Sequence, residues 1–260
     1  MLTIQAVSGF LQDFAPLDLA EDWDNVGLLV GDRDRPLRRV MTCLTVTFAS
    51  AAEAIDRGAE LIVSHHPMPF HAIRRLTTET TAGRLLLDLI EARIAVYSPH
   101  TSFDSTRGGI NHRLADGLGL RGVSPLVPID REHGTGRIGW MEEPLELGRL
   151  AERLKAFLAT DRVQMVGNRA QPVRLVAVAC GAGGEMLGAA RDAGCEAMVL
   201  GETRFHTYLE AEAANIGLLL PGHFASERFA VECLAGILAE EFPDLEVWAS
   251  EREKDPVEWV

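Results

Sequence analysis

Two adjacent histidines at the end of an apolar run, IVSHHPMPF at residues 62–70, are the sharpest chemical feature of the chain. Side chains alternate across a strand, so His65 and His66 converge only where the strand ends and the backbone turns. Pro67 assists by holding His66 extended just before that turn. Alone, the pair also suits a solvated loop. Two further segments repeat the pattern. VYSPHTSFDS places His100 and Asp104 directly after another predicted strand, and LLLPGHFASERFA places His223 and Glu227 four residues apart after a third. In a helix that spacing puts both side chains on one face, the logic of metal-binding H-E-x-x-H helices. Three strand ends thus deliver imidazole and carboxylate groups without thiolate, a donor set suited to zinc, iron, manganese, cobalt or nickel and not to a structural zinc.

Other polar positions carry two readings each. Glu202 and His206 in GETRFH repeat the four-residue spacing and could handle protons, or be a helix-start acid and a surface histidine. His100 could orient a ligand, shuttle a proton or support a neighbouring ligand. Asp24 and Asn25 in WDNVG suit a turn or a polar lining. The glycine turn CGAGGE at 180–185 suits packing, or an anion contact; it lacks the G-K-[ST] ending of a P-loop. His71, His112 and His133 read as solvated, and so does the tail EREKDPVEWV, with Trp259 a candidate for packing at an interface.

Elements that position these groups follow from periodicity. An amphipathic helix with Ile4, Val7, Phe10, Leu11 and Phe14 on one face opens the chain. Strands are predicted at 40–45, 61–64 and 94–97, with helices at 49–57, 82–92 and 110–118. That βαβαβ order implies a mostly parallel sheet with ligands at strand carboxyl ends. A second block runs from GTGRIGW through a helix at 147–158, strands at 163–166, 173–179, 197–200 and 217–220, and helices at 186–193, 205–215 and 224–241, to a strand at 246–250. Residues 125–136, with two prolines and two glycines, read as a linker. DRGAELIVSHH at 56–66 lies in register over DAGCEAMVLGE at 192–202, a weak internal repeat. The fold expected is α/β: two α/β lobes with mostly parallel or mixed sheets flanked by helices and the metal site in the cleft at strand carboxyl ends. Residues 1–127 with 222–260 form the metal-binding lobe, and 128–221 an inserted second lobe.

Composition narrows the partners. The 260 residues carry a formal net charge of -13, with 25 basic against 38 acidic side chains, which argues against nucleic acid. No apolar run approaches a membrane span, and the start lacks the marks of a signal peptide. Cys43, Cys180, Cys195 and Cys233 form no C-x-x-C pair, which favours a reducing cytoplasm over a disulfide framework.

In WDNVGLLVG, GAELIVSHHPMPF, SPHTSFDS, GETRFHTYLEAEAANIG and PGHFASE, in that order, the chain resembles the GTP cyclohydrolase I type 2 homologues, also called Nif-three-like dinuclear metal proteins. The resemblance implies two divalent ions held by His65, His66, Asp104, His223 and Glu227, with Glu227 bridging, and a ring-shaped homo-oligomer, commonly a hexamer. It also implies a small-molecule substrate. A bridged ion pair suits hydrolysis of a phosphorylated or ring C–N compound, GTP-like by the family name. The alternative is a non-catalytic metal-binding or regulatory assembly protein. Two positions depart from the family pattern. Thr45 stands in CLTVT where an acid is expected, and Phe205 replaces the first of two paired histidines, leaving His206.

Overall fold

The computed structural model describes residues 1–258, so the reading of Trp259 lies outside the described residues. Strands are β1 (Gly27–Val30), β2 (Arg39–Cys43), β3 (Leu61–Ser64), β4 (Ala95–Ser98), β5 (Arg121–Pro128), β6 (Gly134–Glu146), β7 (Gln164–Val166), β8 (Pro172–Ala179), β9 (Ala197–Leu200), β10 (Gly217–Leu220) and β11 (Glu246–Ala249). Helices are α1 (Ile4–Phe14), α2 (Phe48–Asp56), α3 (Thr81–Glu91), α4 (His100–Ser105), α5 (Ile110–Gly117), α6 (Leu147–Leu158), α7 (Leu187–Asp192), α8 (Phe205–Ala213) and α9 (His223–Glu241).

The chain forms two compact units, Met1–Phe103 with the segment from Ala230 onward, and Asp104–Phe229. Both are mixed α/β sheets flanked by helices. The first has strand order β1-β4-β3-β2-β11, parallel except for β1 against β4. The second has order β5-β6-β8-β9-β10-β7, with β8, β9 and β10 parallel and the others antiparallel. The interior parallel strands β3, β4, β9 and β10 are buried throughout, as expected when helices cover both faces. Met41, Ile62, Leu85, Leu89, Val96 and Trp248 share one core in the first unit. In the second, Leu147, Leu150 and Leu154 of α6 pack on Val176, Val199 and Leu219. Leu187 and Ala190 of α7 join a separate cluster with Met198, Leu200 and Leu218.

The division differs from the expected one at both ends, because residues 104–127 and 222–229 belong to the inserted unit. The expected linker is instead part of the β5–β6 hairpin, with Pro125 opposite Arg137 and Pro128 opposite Gly134. Proline is tolerated there because β5 is an edge strand. The helix expected at 186–193 is α7 preceded by a 3-10 turn at Gly183–Met186.

The internal repeat has a structural basis. Val40 pairs with Leu61 in one sheet, and their repeat counterparts Val176 and Ala197 pair in the other. Glu60 Oε2 accepts from the backbone N–H of Arg38 and Arg39, and Glu196 Oε2 from those of Arg174 and Leu175. The repeated Gly-x-Glu is therefore a device that turns a helix into a parallel strand: glycine takes φ +65° at Gly58 and +77° at Gly194, and the acid clamps the neighbouring strand.

The tail, read as solvated, is anchored in the first unit. Buried Glu53 on α2 accepts from Trp248 Nε1, Ser250 Oγ and the backbone N–H of Glu251 and Arg252. Burial opposes its ionisation, but these donors outweigh burial and hold its carboxyl below the ordinary range. Replacing Glu53 with Ala strands several donors at once. Urea unfolding of Glu53→Ala is expected to show a loss of about 3 kcal/mol, and a loss under about 1 kcal/mol would mean that water replaces the carboxylate freely.

Candidate metal centre

In the first unit β3 ends at Ser64, and the next two residues carry the paired imidazoles. The backbone N–H of His65 donates to Cys43 O and that of His66 to Leu44 O, which carries the β2–β3 ladder past the strand end and fixes both residues. His65 is buried, and Ser98 Oγ donates to its carbonyl at 2.6 Å. β4 then runs into α4, which opens on His100 at φ +26°, a strained value for a side-chain-bearing residue. What holds it there is Asp24: Oδ1 lies 2.7 Å from His100 Nδ1, and Oδ2 accepts from the N–H and hydroxyl of Thr101. Burial opposes ionisation of Asp24, yet the His100 and Thr101 bonds bring its pKa down to about 2, so it is an anion at neutral pH. The rings of His65, His66 and His100 have centroids 5.0 to 5.6 Å apart, and each offers a nitrogen within 4.8 Å of the others'.

Thr45 occupies the position where the family resemblance led us to expect an acid. Its hydroxyl lies 2.7 Å from His66 Nδ1, so the departure keeps an anchor on this ring. Glu253 from the tail supplies a carboxylate to the same loop, accepting from the N–H of Leu44 and Thr45.

Trp23, 61% exposed, and Phe70, 42% exposed, flank His100 with ring centroids 6.0 and 5.8 Å from it. Their loops are tied together by Asn25 Nδ2 donating to Pro69 O. An exposed aromatic pair on pinned backbone is an adhesive wall beside the imidazoles.

The second unit carries its own group. β10 runs into α9, whose first residue is His223, with buried Glu227 one turn on. His223 Nδ1 lies 2.9 Å from Glu202 Oε1, and Nε2 lies 3.1 Å from Glu227 Oε2. The Glu227 bond, outweighing burial, and then the charges of Glu227 and Glu202 raise the His223 pKa to about 9. Asp104 accepts from Cys180 Sγ at 3.3 Å, and Asn111 Nδ2 donates to its carbonyl. Burial, Asp104 and Glu227 push the Cys180 thiol well above its usual range, so it stays protonated and is no thiolate ligand.

The glycine turn has a packing role. Gly181 sits at φ +58°, and a Cβ there would run into Glu227 Oε1 and approach His223. Gly184 is pressed in the same way against Thr203. Gly181→Ala is expected to push Glu227 aside and lower metal content while the far-ultraviolet circular dichroism is kept. Unchanged metal content would show that the carboxylate has room to spare.

The repeat extends to these groups. In each sheet the third parallel strand leads into a helix that opens on histidine and places an acid four residues later, His100 and Asp104 on α4, His223 and Glu227 on α9. Both histidines have Nδ1 held by a carboxylate, Asp24 or Glu202. His206 is exposed at the start of α8, beside the Phe205 ring. His112, expected in solvent, is half-buried and 3.6 Å from Asp116. Asp24, Thr45 and Thr101 are the site residues that spacing alone did not pick out.

A metal fits these donors. Imidazoles with Nδ1 held by an oxygen present Nε2 as the ligating nitrogen, and such outer partners are what orient ligands in metal sites. His223 Nε2 and Glu227 Oε2 already lie at a separation that one ion could span. No helix among the described residues is long and apolar enough to cross a membrane.

Comparison with known proteins identifies the family. The family model described as Duf34/NIF3 (NGG1p interacting factor 3) matches residues 2–256. A Clostridium perfringens protein named GTP cyclohydrolase 1 type 2 homolog is 30% identical over all of both chains. The NIF3-like protein 1 of Drosophila melanogaster is 31% identical over 98% of this chain and 88% of its own length. The crystal structure of a Bacillus cereus protein related to NIF3 shares the fold, with a TM-score of 0.89 at 22% identity over 100% of this chain and 99% of that one. From residue 2 to residue 256, this chain belongs to the Duf34/NIF3 (NGG1p interacting factor 3) family.

Proposed function

We propose that the chain is a metal-dependent hydrolase that holds two divalent ions on His65, His66, Asp104, His223 and Glu227, with Glu227 bridging. The observation that carries this reading is the anchoring of ring nitrogens, Thr45 on His66 and Glu202 on His223, which costs a protein hydrogen-bonding groups and serves ligation. Ions bound there would act as Lewis acids and make water a nucleophile near neutral pH.

The remaining roles fall to side chains. Asp24 keeps His100 oriented, which suits a group that takes a proton and returns it to a leaving atom. His206 is the second proton carrier proposed. Trp23 and Phe70 would receive a planar ring, in keeping with a GTP-like or other ring C–N substrate; the name of the Clostridium relative points the same way. The ion is zinc, iron, manganese, cobalt or nickel, and the chain assembles as a ring-shaped homohexamer in the cytoplasm.

The test is a substrate screen of purified protein with nucleotides, phosphoesters and cyclic amides, before and after chelation, with light scattering on the same sample. Chelator-sensitive turnover by a hexamer is expected. Metal-loaded protein without turnover on any of these classes would favour a binding or regulatory role, and a stable monomer at micromolar concentration would overturn the ring.

A further inference from the structure

The second unit has a cleft of about 390 Å³ formed by α5, the β5–β6 hairpin and the segment after α4. Its charge runs against that of the whole protein, which is -13. Arg107, Arg121, Arg131 and Arg137 line it with only Asp116 and Glu132 opposing them.

Arg137 is the decisive residue. It is 0% exposed. Its Nη1 donates to the carbonyls of Gly134 and Gly136 at 2.6 and 2.7 Å, and Nη2 to those of Ser105 and Thr106 at 2.8 and 2.7 Å. All these acceptors are neutral, and Nε has no hydrogen-bond partner among the described residues. Asp104 acts on it only through space, and burial brings the guanidinium pKa down to about 10, still charged at neutral pH. A buried cation with no carboxylate bonded to it is costly unless an anion comes near.

The outer wall is built to be held still. At the hairpin tip the N–H groups of Ile129 and Asp130 donate to His133 O, and those of Glu132 and His133 donate to Asp130 Oδ1. That turn presents Arg131, which is exposed and makes no ion pair among the described residues. Arg121 is 4.0 Å from Glu142, both exposed, a contact too weak to neutralise it. Arg107 is paired with Glu132. Burial, and then the charges of Arg137, Arg107 and Arg113 acting against Asp116, lower the pKa of His112 on the cleft wall, a sign of positive potential.

We propose that this cleft is a binding site for a small polyanion of the phosphate class, with Arg121 and Arg131 as the contacting groups and Arg137 as the fixed charge beneath them. Guanidinium pairs grip phosphate oxygens in a planar, bidentate way that suits this lining. The site stands independently of the metal-dependent hydrolase reading.

The test is calorimetric titration of the metal-stripped 260-residue chain with inorganic pyrophosphate. Wild type is expected to bind at a single site, more weakly as salt rises. The double variant Arg121→Ala, Arg131→Ala should bind about tenfold or more weakly with unchanged melting temperature, since both side chains are exposed. His65→Ala should bind as wild type does. Wild-type affinity in the double variant, absence of binding at millimolar pyrophosphate, or loss of binding in His65→Ala would each overturn the proposal. The last outcome would place the anion at the metal ligands instead.

Discussion

Glu227→Gln is expected to release both ions, leaving well under one per chain after dialysis, whereas Asp104→Asn keeps about one. A carboxylate shared by two cations loses its charge from both when it becomes an amide, while a ligand to one ion weakens only that one. The affinity loss should exceed the roughly 10- to 100-fold typical of an outer partner. Glu227 is buried, and Gly181 leaves no slack around it, so the amide cannot swing away to let water take its place. The fold supplies a control. In metal-free protein the Glu227 bond is the largest cause of the raised His223 pKa, so the Gln variant should bring that pKa down from about 9. Equal, partial metal loss in both variants would make Glu227 an ordinary single-ion ligand.

Metal affinity is expected to rise about tenfold per pH unit as pH climbs towards about 9, because His223 must lose its proton to bind an ion. The sign follows from the proton that must leave. His223 is held protonated by Glu227 and Glu202 up to about pH 9, and an ion can take Nε2 only after that proton is lost. The stability of the metal-free protein should move the other way. Its His223 contribution is fully present below about pH 6.5 and is lost as pH rises through 9, because the folded pKa is the raised one. Asp24 behaves oppositely: its contribution is present above about pH 4 and is lost only as pH falls through about 2. Acid should therefore expel metal well before it frees His100 from Asp24. Competition titrations at several pH values measure the first slope, and an affinity flat from pH 7 to 9 would mean that His223 is not a ligand.

Much of this was legible in the sequence, for definite reasons. β3, β9, β10 and α6 lie where apolar runs and periodicity placed them, because each is bounded by a turn residue or a change of period. The histidines were legible because each directly follows such a run. Less local features were not. α4 is only six residues long and is opened by a strained histidine, with no pattern long enough to detect. β5 was hidden by Pro125, which reads as a breaker unless the strand is known to be an edge. Asp24 meets His100 across 76 positions of sequence, and Glu253 reaches Leu44 across 209, so neither contact could be read from spacing. Thr45 looked like a lost acid, and only its distance to His66 Nδ1 reveals a replacement anchor.

The most direct test of the central claim is metal stoichiometry by elemental analysis, after the 260-residue chain is stripped, reloaded with zinc, iron, manganese, cobalt or nickel, and desalted at neutral pH. Two ions per chain are predicted for at least one of these metals, falling below one in Glu227→Gln. One ion or fewer with every metal would contradict the dinuclear centre.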